Sequence, residues 1–471
     1  MGEHTFPLSL TLSGFDGLFR RAFGGSFVIA VVVSRADYAS EHIGEFLLSE
    51  TEWNVHEDES RSDAEGGGTY YRTEGFELRE FDALHLDIED AAEPFSDPEM
   101  LVFASRHSGD TGPLLTGHFT GNFGPAEFGG TDRTVAEACP NAHARLLEAF
   151  DEHAPEGYDV GMECTHHGPS EVGVPSMFVE LGSDDEQWGD PDAARAVARA
   201  ILDLRGVAPH RERQLVGFGG GHYAPRFERI LGETDWAVGH IASDWNLETL
   251  GLPEAHPETI RQVFERSGAE YSVCEGKTDD IAEVVADLGY RVVSETWVRE
   301  VSGVPLALVE ELESELSSVE SGLRFGEKAR GMAATEPFEI VSLPGKLLDA
   351  VTGIDRDAVS ELVAARTVAF ETDEGGTQVA GRAAVLDAAD FEAVIDGLVE
   401  LLDGKYDEVS RNGDEIVVRD VGFDPEKARK LGVPEGPAFG KLSSGVAVEV
   451  NGTTIPPREV QTERRRVFPL R

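Results

Sequence analysis

The chain has 471 residues, enough for two or three domains, and 40% of them are hydrophobic, which excludes disorder throughout. Asp and Glu number 89 against 40 Lys and Arg, a formal net charge of -49 spread along the whole chain, and the first lysine is Lys277. Such acidity reads as adaptation to molar salt, where the Debye length falls to about 3 Å; because counterion release contributes little there, it does not exclude a nucleic-acid ligand.

Residues 1–26 show no pattern that finds a partner and are read as an N-terminal extension. Arg20-Arg21 ahead of Phe27–Val33 suggests a twin-arginine export signal, but the apolar run is too short and has no small-residue cleavage site. The β-branched run Phe27–Ser34 reads instead as a buried strand, followed by helical spacing at Ala39, Ile43, Phe46 and Leu47. Thr51–Thr73 is acidic and Gly-rich, a solvated insert. Strand-like runs return at Ala83–Ile88, Met100–Ala104 and Leu114–Phe119, and Asn141–His153 has helical spacing.

From there β and α patterns alternate: strands Tyr158–Glu163, Ser176–Leu181, Gln214–Phe218 and Trp236–Ile241, with helices at Asp192–Leu204 and Thr259–Arg266. The alternation predicts an α/β fold, a mostly parallel mixed sheet with helices on both faces, whose ligand sits beyond the strand C-termini. After about residue 300 the character changes. Leu306, Val309, Leu312 and Leu316 mark an amphipathic helix, and residues 301–471 read as a smaller α+β module beside a catalytic domain of residues 27–300. No stretch approaches the ~20 apolar residues of a membrane span. Three scattered cysteines, Cys139, Cys164 and Cys274, fit a reducing cytoplasm and exclude a disulfide framework or a thiolate zinc finger.

Three motifs carry chemistry. In Glu163-Cys164-Thr165-His166-His167-Gly168-Pro169, adjacent histidines at a strand end point to opposite sides, so one is expected to enter a cleft, unless both serve only to cap the loop. In Gly217-Phe218-Gly219-Gly220-Gly221-His222-Tyr223-Ala224-Pro225, consecutive glycines between strand and helix let backbone N–H groups approach an anion, or simply make a turn that admits no side chain. It is neither a Walker loop nor a dinucleotide fingerprint. Ser105-Arg106-His107-Ser108-Gly109 precedes His118-Phe119-Thr120-Gly121-Asn122-Phe123-Gly124, a tight loop that could stack on and hydrogen-bond a terminal base, or be purely structural. With Gly239-His240 after the next strand, five or six histidines gather at strand ends.

In this order the three motifs resemble the archaeal and plant D-aminoacyl-tRNA deacylase family over about residues 27–300. The resemblance implies a fold similar to peptidyl-tRNA hydrolase and phosphorylase-like proteins, a zinc-dependent, monomeric or weakly associating hydrolase, and D-aminoacyl-tRNA bound by its acceptor end. Glu163, His166, His167, Gly219 to Gly221 and His222 occupy the family's motif positions. On this basis His167, His222 and Glu163 are expected to be catalytic, and His167, His222 and His118 to hold zinc. Gly219, Gly220, Gly221, His166, Asn122 and Phe123 are expected to bind substrate. His167 and His222 should face one pocket, because the alternating pattern makes the strands they follow neighbours in a parallel sheet, with the glycine loop as the pocket's wall and His166 pointing away or supporting from behind. Near the C-terminus, Lys430-Leu431-Gly432-Val433-Pro434-Glu435-Gly436-Pro437-Ala438-Phe439-Gly440-Lys441-Leu442 resembles a short segment of ribonuclease Z, without that enzyme's metal-binding histidines; a Gly/Pro-punctuated turn between strands reads equally well.

Ester hydrolysis needs an activated water, an oxyanion partner and a proton for the leaving ribose oxygen. The water is zinc-bound or polarised by histidine alone, and the glycine amides hold a phosphate or the oxyanion. Two other classes stay open at this point: a small-substrate nucleoside or peptide hydrolase, and a non-catalytic tRNA-binding protein.

Overall fold

The computed structural model describes residues 27–333 and 335–470, so the N-terminal extension lies outside the described residues. The chain divides into two compact units, one ending at Val298 and one beginning at Arg299.

The first unit is built on two sheets. The strands of the larger are β1 (Ile29–Ser34), β2 (Asn54–Asp58), β3 (Gly68–Thr73), β4 (Phe76–Phe81), β5 (Met100–Arg106), β6 (Leu114–His118), β7 (Asp159–Met162) and β8 (Ser176–Gly182). Their order is β2-β3-β4-β1-β5-β8-β6-β7. β4, β1, β5 and β8 are mutually parallel; β6 runs against β8 and carries β7 parallel to itself. Every residue of β1, β6 and β8 is buried, as expected for central strands covered on both faces. The second sheet is all parallel: β9 (Gln214–Phe218), β10 (Ala237–Ala242), β11 (Tyr271–Cys274) and β12 (Arg291–Val293), in the order β10-β9-β11-β12.

Helices cover both sheets. Helix Tyr38–Glu50 is capped by Asp37, whose carboxylate accepts from the amides of Ala39 and Ser40, and it packs on helix Pro191–Leu202 through that helix's row of small alanines. Helix Pro140–His153 buries Leu146, Leu147 and Phe150. Among the described residues no helix is long and apolar enough to cross a membrane.

Several local expectations change. The polar stretch Thr51–Thr73 is not merely a solvated insert; it supplies the antiparallel β2–β3 hairpin at the sheet edge, where one-sided exposure suits polar residues. Ala83–Ile88 holds a single 3-10 turn, His85–Asp87, rather than a strand. The two strands that precede the histidine motifs are not neighbours in one sheet, because β7 ends the first sheet and β9 belongs to the second. The seam between them is closed by the loop after β7: the amides of Cys164 and Thr165 donate to the carbonyls of His222 (2.7 Å) and Ile241 (2.9 Å).

The second unit is α+β. Its strands are β13 (Arg324–Phe325), β14 (Glu339–Ser342), β15 (Ala369–Asp373), β16 (Gln378–Val385), β17 (Glu408–Asn412), β18 (Glu415–Phe423), β19 (Val448–Val450), β20 (Thr453–Ile455) and β21 (Gln461–Pro469). They form antiparallel sheets β13-β15-β16-β14 and β17-β18-β21 and the hairpin β19-β20. Leu347, Val363, Val394, Leu398 and Ile416 lie in its core. Lys430–Leu442 is not a turn between strands; it joins two short helices, Pro425–Lys430 and Pro437–Ser443, over a small core of Ala428, Val433 and Leu442.

Candidate active site

A cavity of about 650 Å³ opens in the first unit, within the range of small-molecule sites. Its lining includes Asp37 and His85, the Ser105–Ser108 segment, Glu163, His166, His167, Glu180 and His222, with Phe128, Tyr223 and Trp245 also on it.

Glu163 is the hub. Its carboxylate is buried, with one oxygen 2.7 Å from His222 Nε2, 3.7 Å from His107 Nε2 and 3.9 Å from His166 Nε2. The other oxygen has no hydrogen-bond partner. Burial opposes its charge, yet the His222 hydrogen bond and the surrounding imidazoles hold its pKa below the usual carboxylate range. His222 lies with Nδ1 3.5 Å from Cys164 Sγ, and these contacts with Cys164 and Glu163 raise its pKa to about 10.

Beside this pair stands a cluster of three imidazoles. The His118 and His166 rings stack at 4.1 Å between centroids, and His167 meets them edge-on at 4.8 and 4.4 Å. In each, Nδ1 sits on a backbone carbonyl: His118 on Phe119 (3.0 Å), His166 on Cys164 (2.8 Å), His167 on Gly168 (2.7 Å). A carbonyl only accepts, so Nδ1 carries the hydrogen in all three rings and Nε2 is left with its lone pair. Burial pushes the pKa of His166 and His167 well down, with the neighbouring His118 adding to it. Burial would lower His118 too, but Glu180 Oε1, 3.6 Å away, raises it. The buried Nε2 of His118 has no hydrogen-bond partner.

Among the described residues three groups of side chains could hold an ion: His118, His166 and His167; Cys164, His166 and His222; and, away from the cavity lining, the more exposed Glu152, His153 and Asp203. The first fits better. Its three rings are oriented by carbonyls in the way metal-bound histidines are, whereas both nitrogens of His222 are already engaged.

The arrangement corrects four expectations. His166 does not point away: the chain has left the strand at Met162 and His167 takes a left-handed backbone (φ 43°), so both imidazoles enter the cavity. Gly219 to Gly221 are not its wall. A β-carbon on Gly219 would lie 2.1 Å from the Glu275 carbonyl oxygen, and the amide and carbonyl of Gly220 are bonded to Asp244, so these two are turned towards protein, while Gly221 is exposed and not on the cavity lining. Asn122 and Phe123 are not on the cavity lining: Asn122 donates to the carbonyls of Gly129 and Thr131, and Phe123 is packed in the core with Val135 and Phe218. His240 is inside β10, its nitrogens taken by Thr165 and by the Ala136 carbonyl.

Sequence reasoning also passed over Asp37 and Glu180. The second had a signal: it is the only charged residue in the apolar strand Ser176–Gly182, where a buried carboxylate needs a partner.

Residues 94–293 match the family model described as D-aminoacyl-tRNA deacylase. A D-aminoacyl-tRNA deacylase of Natronomonas pharaonis is 52% identical over 441 residues, covering 94% of this chain and 100% of the relative. The chain belongs to the D-aminoacyl-tRNA deacylase family. A family member from Methanococcoides burtonii, 32% identical, still aligns over 94% of this chain and 96% of its own length. The similarity to these relatives therefore extends well beyond residue 300, whereas the family model itself stops at residue 293. Among solved structures, a conserved protein of unknown function matches with a TM-score of 0.52 and 28% identity, over 59% of this chain and 98% of its own. The α/β fold is thus also that of a solved protein. Relatives from haloarchaea, among them one of Halobacterium salinarum at 50% identity over 92% of this chain, agree with the salt adaptation read from the charge.

Proposed function

We propose that the chain hydrolyses the ester bond of D-aminoacyl-tRNA in the cytoplasm as a monomer, taking the acceptor end of the tRNA into the cavity described above and releasing free D-amino acid and tRNA. The family supports the reaction, and the observation that carries the location is the three-histidine cluster with Nε2 lone pairs turned together beside a buried carboxylate. The lining residues all fall between Asp37 and Trp245, which supports a catalytic first unit.

His118, His166 and His167 would hold zinc, which on three protein ligands brings a bound water to a pKa of about 7. His167 thus keeps its expected place as a ligand, while His166 replaces His222. Glu163 and His222 form the proton-handling pair: the carboxylate fixes the imidazole and keeps a proton on it, available for the ribose oxygen as it leaves. The glycine loop acts through position alone, holding His222 at the cavity edge through the Cys164 amide.

The test is turnover of D- and L-tyrosyl-tRNA by purified protein in molar KCl. Cleavage of the D-ester with the L-ester spared is expected; no cleavage of either rejects the reading. Dialysis against a chelator should abolish turnover, zinc should restore it, and metal analysis should return one zinc per active chain. Full activity in metal-free protein would leave the histidines to act without an ion.

A further inference from the structure

The aromatic side chains exposed among the described residues are Tyr38, Phe128, Tyr223 and Trp245, and three of these four line the one cavity that holds the histidine cluster. Phe128 is 64% exposed and Trp245 53%. Large apolar rings left in water in this way mark an interaction surface.

Both are held by rigid backbone. The Phe128 carbonyl accepts from the Gly168 amide (2.9 Å), and Gly129 (φ 75°) and Gly130 (φ 78°) turn so tightly that a β-carbon on Gly129 would lie 2.1 Å from the Leu86 carbonyl oxygen. Trp245 is the second residue of helix Asp244–Leu250. The Asp244 amide donates to the Gly220 carbonyl (2.9 Å), and the Asp244 carboxylate accepts from the Gly220 amide (3.1 Å). Gly220 therefore clamps the turn that presents Trp245.

The electrostatics narrow the occupant. Arg106 is the single Arg or Lys on the cavity, against the carboxylates of Asp37, Glu163 and Glu180. A lining of that sign gives phosphates little purchase, and molar salt weakens such contacts further. Stacking on flat rings does not depend on counterion release, and it accepts any base.

Resting on the reading of the cavity as the deacylation site, we propose that Phe128 and Trp245 form a stacking platform for the unpaired 3′-terminal nucleotides of the tRNA. On this account base–aromatic stacking, not phosphate neutralisation, sets substrate affinity.

Two readouts test it. Phe128→Ala and Trp245→Ala should each raise KM for D-tyrosyl-tRNA roughly 5- to 100-fold, the range for losing one stacked base, with kcat nearly unchanged. Trp245→Tyr should restore most of the loss. Independently of turnover, the trinucleotide CCA should quench tryptophan fluorescence saturably in the wild type in 2 M KCl, and not in Trp245→Ala. The signal is selective, because Trp245 is the only exposed tryptophan among the described residues. Wild-type KM in both alanine variants overturns the proposal, as does absence of quenching, or a change in self-association in place of either effect. Quenching by a protein that cleaves no D-ester would keep the platform and reject the deacylase reading; turnover without quenching would do the reverse.

Discussion

Glu163→Gln is expected to lower kcat for D-tyrosyl-tRNA by roughly 10²–10⁴-fold, the range for losing a group that manages a proton in the transition state. Glutamine keeps the shape and removes the charge. The His222 Nε2 that now lies 2.7 Å from a carboxylate would face a neutral amide, and the imidazoles of His107 and His166, at 3.7 and 3.9 Å, would lose the same anion. The proton that Glu163 stabilises on His222 would no longer be held at the cavity edge. KM should move little, because the residue, although on the lining, is almost wholly buried and no part of the stacking surface. Single-turnover kinetics on variant protein that melts like the wild type is the measurement. A kcat within about threefold of wild type would remove the Glu163–His222 pair from the mechanism.

Lowering KCl from molar to about 0.1 M is expected to unfold the protein. If every one of the 40 basic residues paired with an acid, 49 carboxylates would still have no positive partner. Two like charges 10 Å apart repel by about 0.4 kcal/mol in water, so a few dozen such pairs exceed the ~5–15 kcal/mol that holds a typical domain together. At 1 M the Debye length of ~3 Å reduces each pair to a few per cent of that value; at 0.1 M it is ~10 Å and about a third of the repulsion returns, roughly a tenfold rise for each pair. Circular dichroism and turnover should be lost together and recover when salt is restored. A cooperative fold and full activity at 0.1 M KCl would show that the acidic surface answers some other need.

Local order was more legible in the sequence than pairing. β1, β5, β8 and β9 lie where apolar runs put them, because a strand buried on both faces announces itself by composition alone. The partition into two sheets was not legible: hydrophobic periodicity says that a strand is buried and is silent on its neighbour, so β7 and β9 looked adjacent. In the site, the histidines were visible as motifs, but their directions were not. The divergence rule for adjacent side chains holds inside a strand, and His166 and His167 stand beyond its end, one of them in a left-handed conformation. Gly219 to Gly221 were recognisable as a place where side chains do not fit. That holds at Gly219, where the excluding Glu275 carbonyl comes from the loop after a different strand, and not at Gly221, which faces open space. Phe128 and Trp245 belong to no motif, and only their shared exposure singles them out.

The seam between the two sheets has a consequence for which changes in length the gene tolerates. Four residues, Glu163 to His166, supply the hub carboxylate, a thiol, a hydroxyl that bonds the His240 ring and one imidazole. Over the same span their backbone reaches across to His222 and Ile241 and receives the Asn246 side chain on the Thr165 carbonyl. One inserted codon there would displace every later donor relative to its acceptor. β2, at the outer edge with Asn54, Val55 and Glu57 exposed, pairs on one side only and has less such bookkeeping to respect, so a change in length ahead of it leaves the reading frame of the seam fixed.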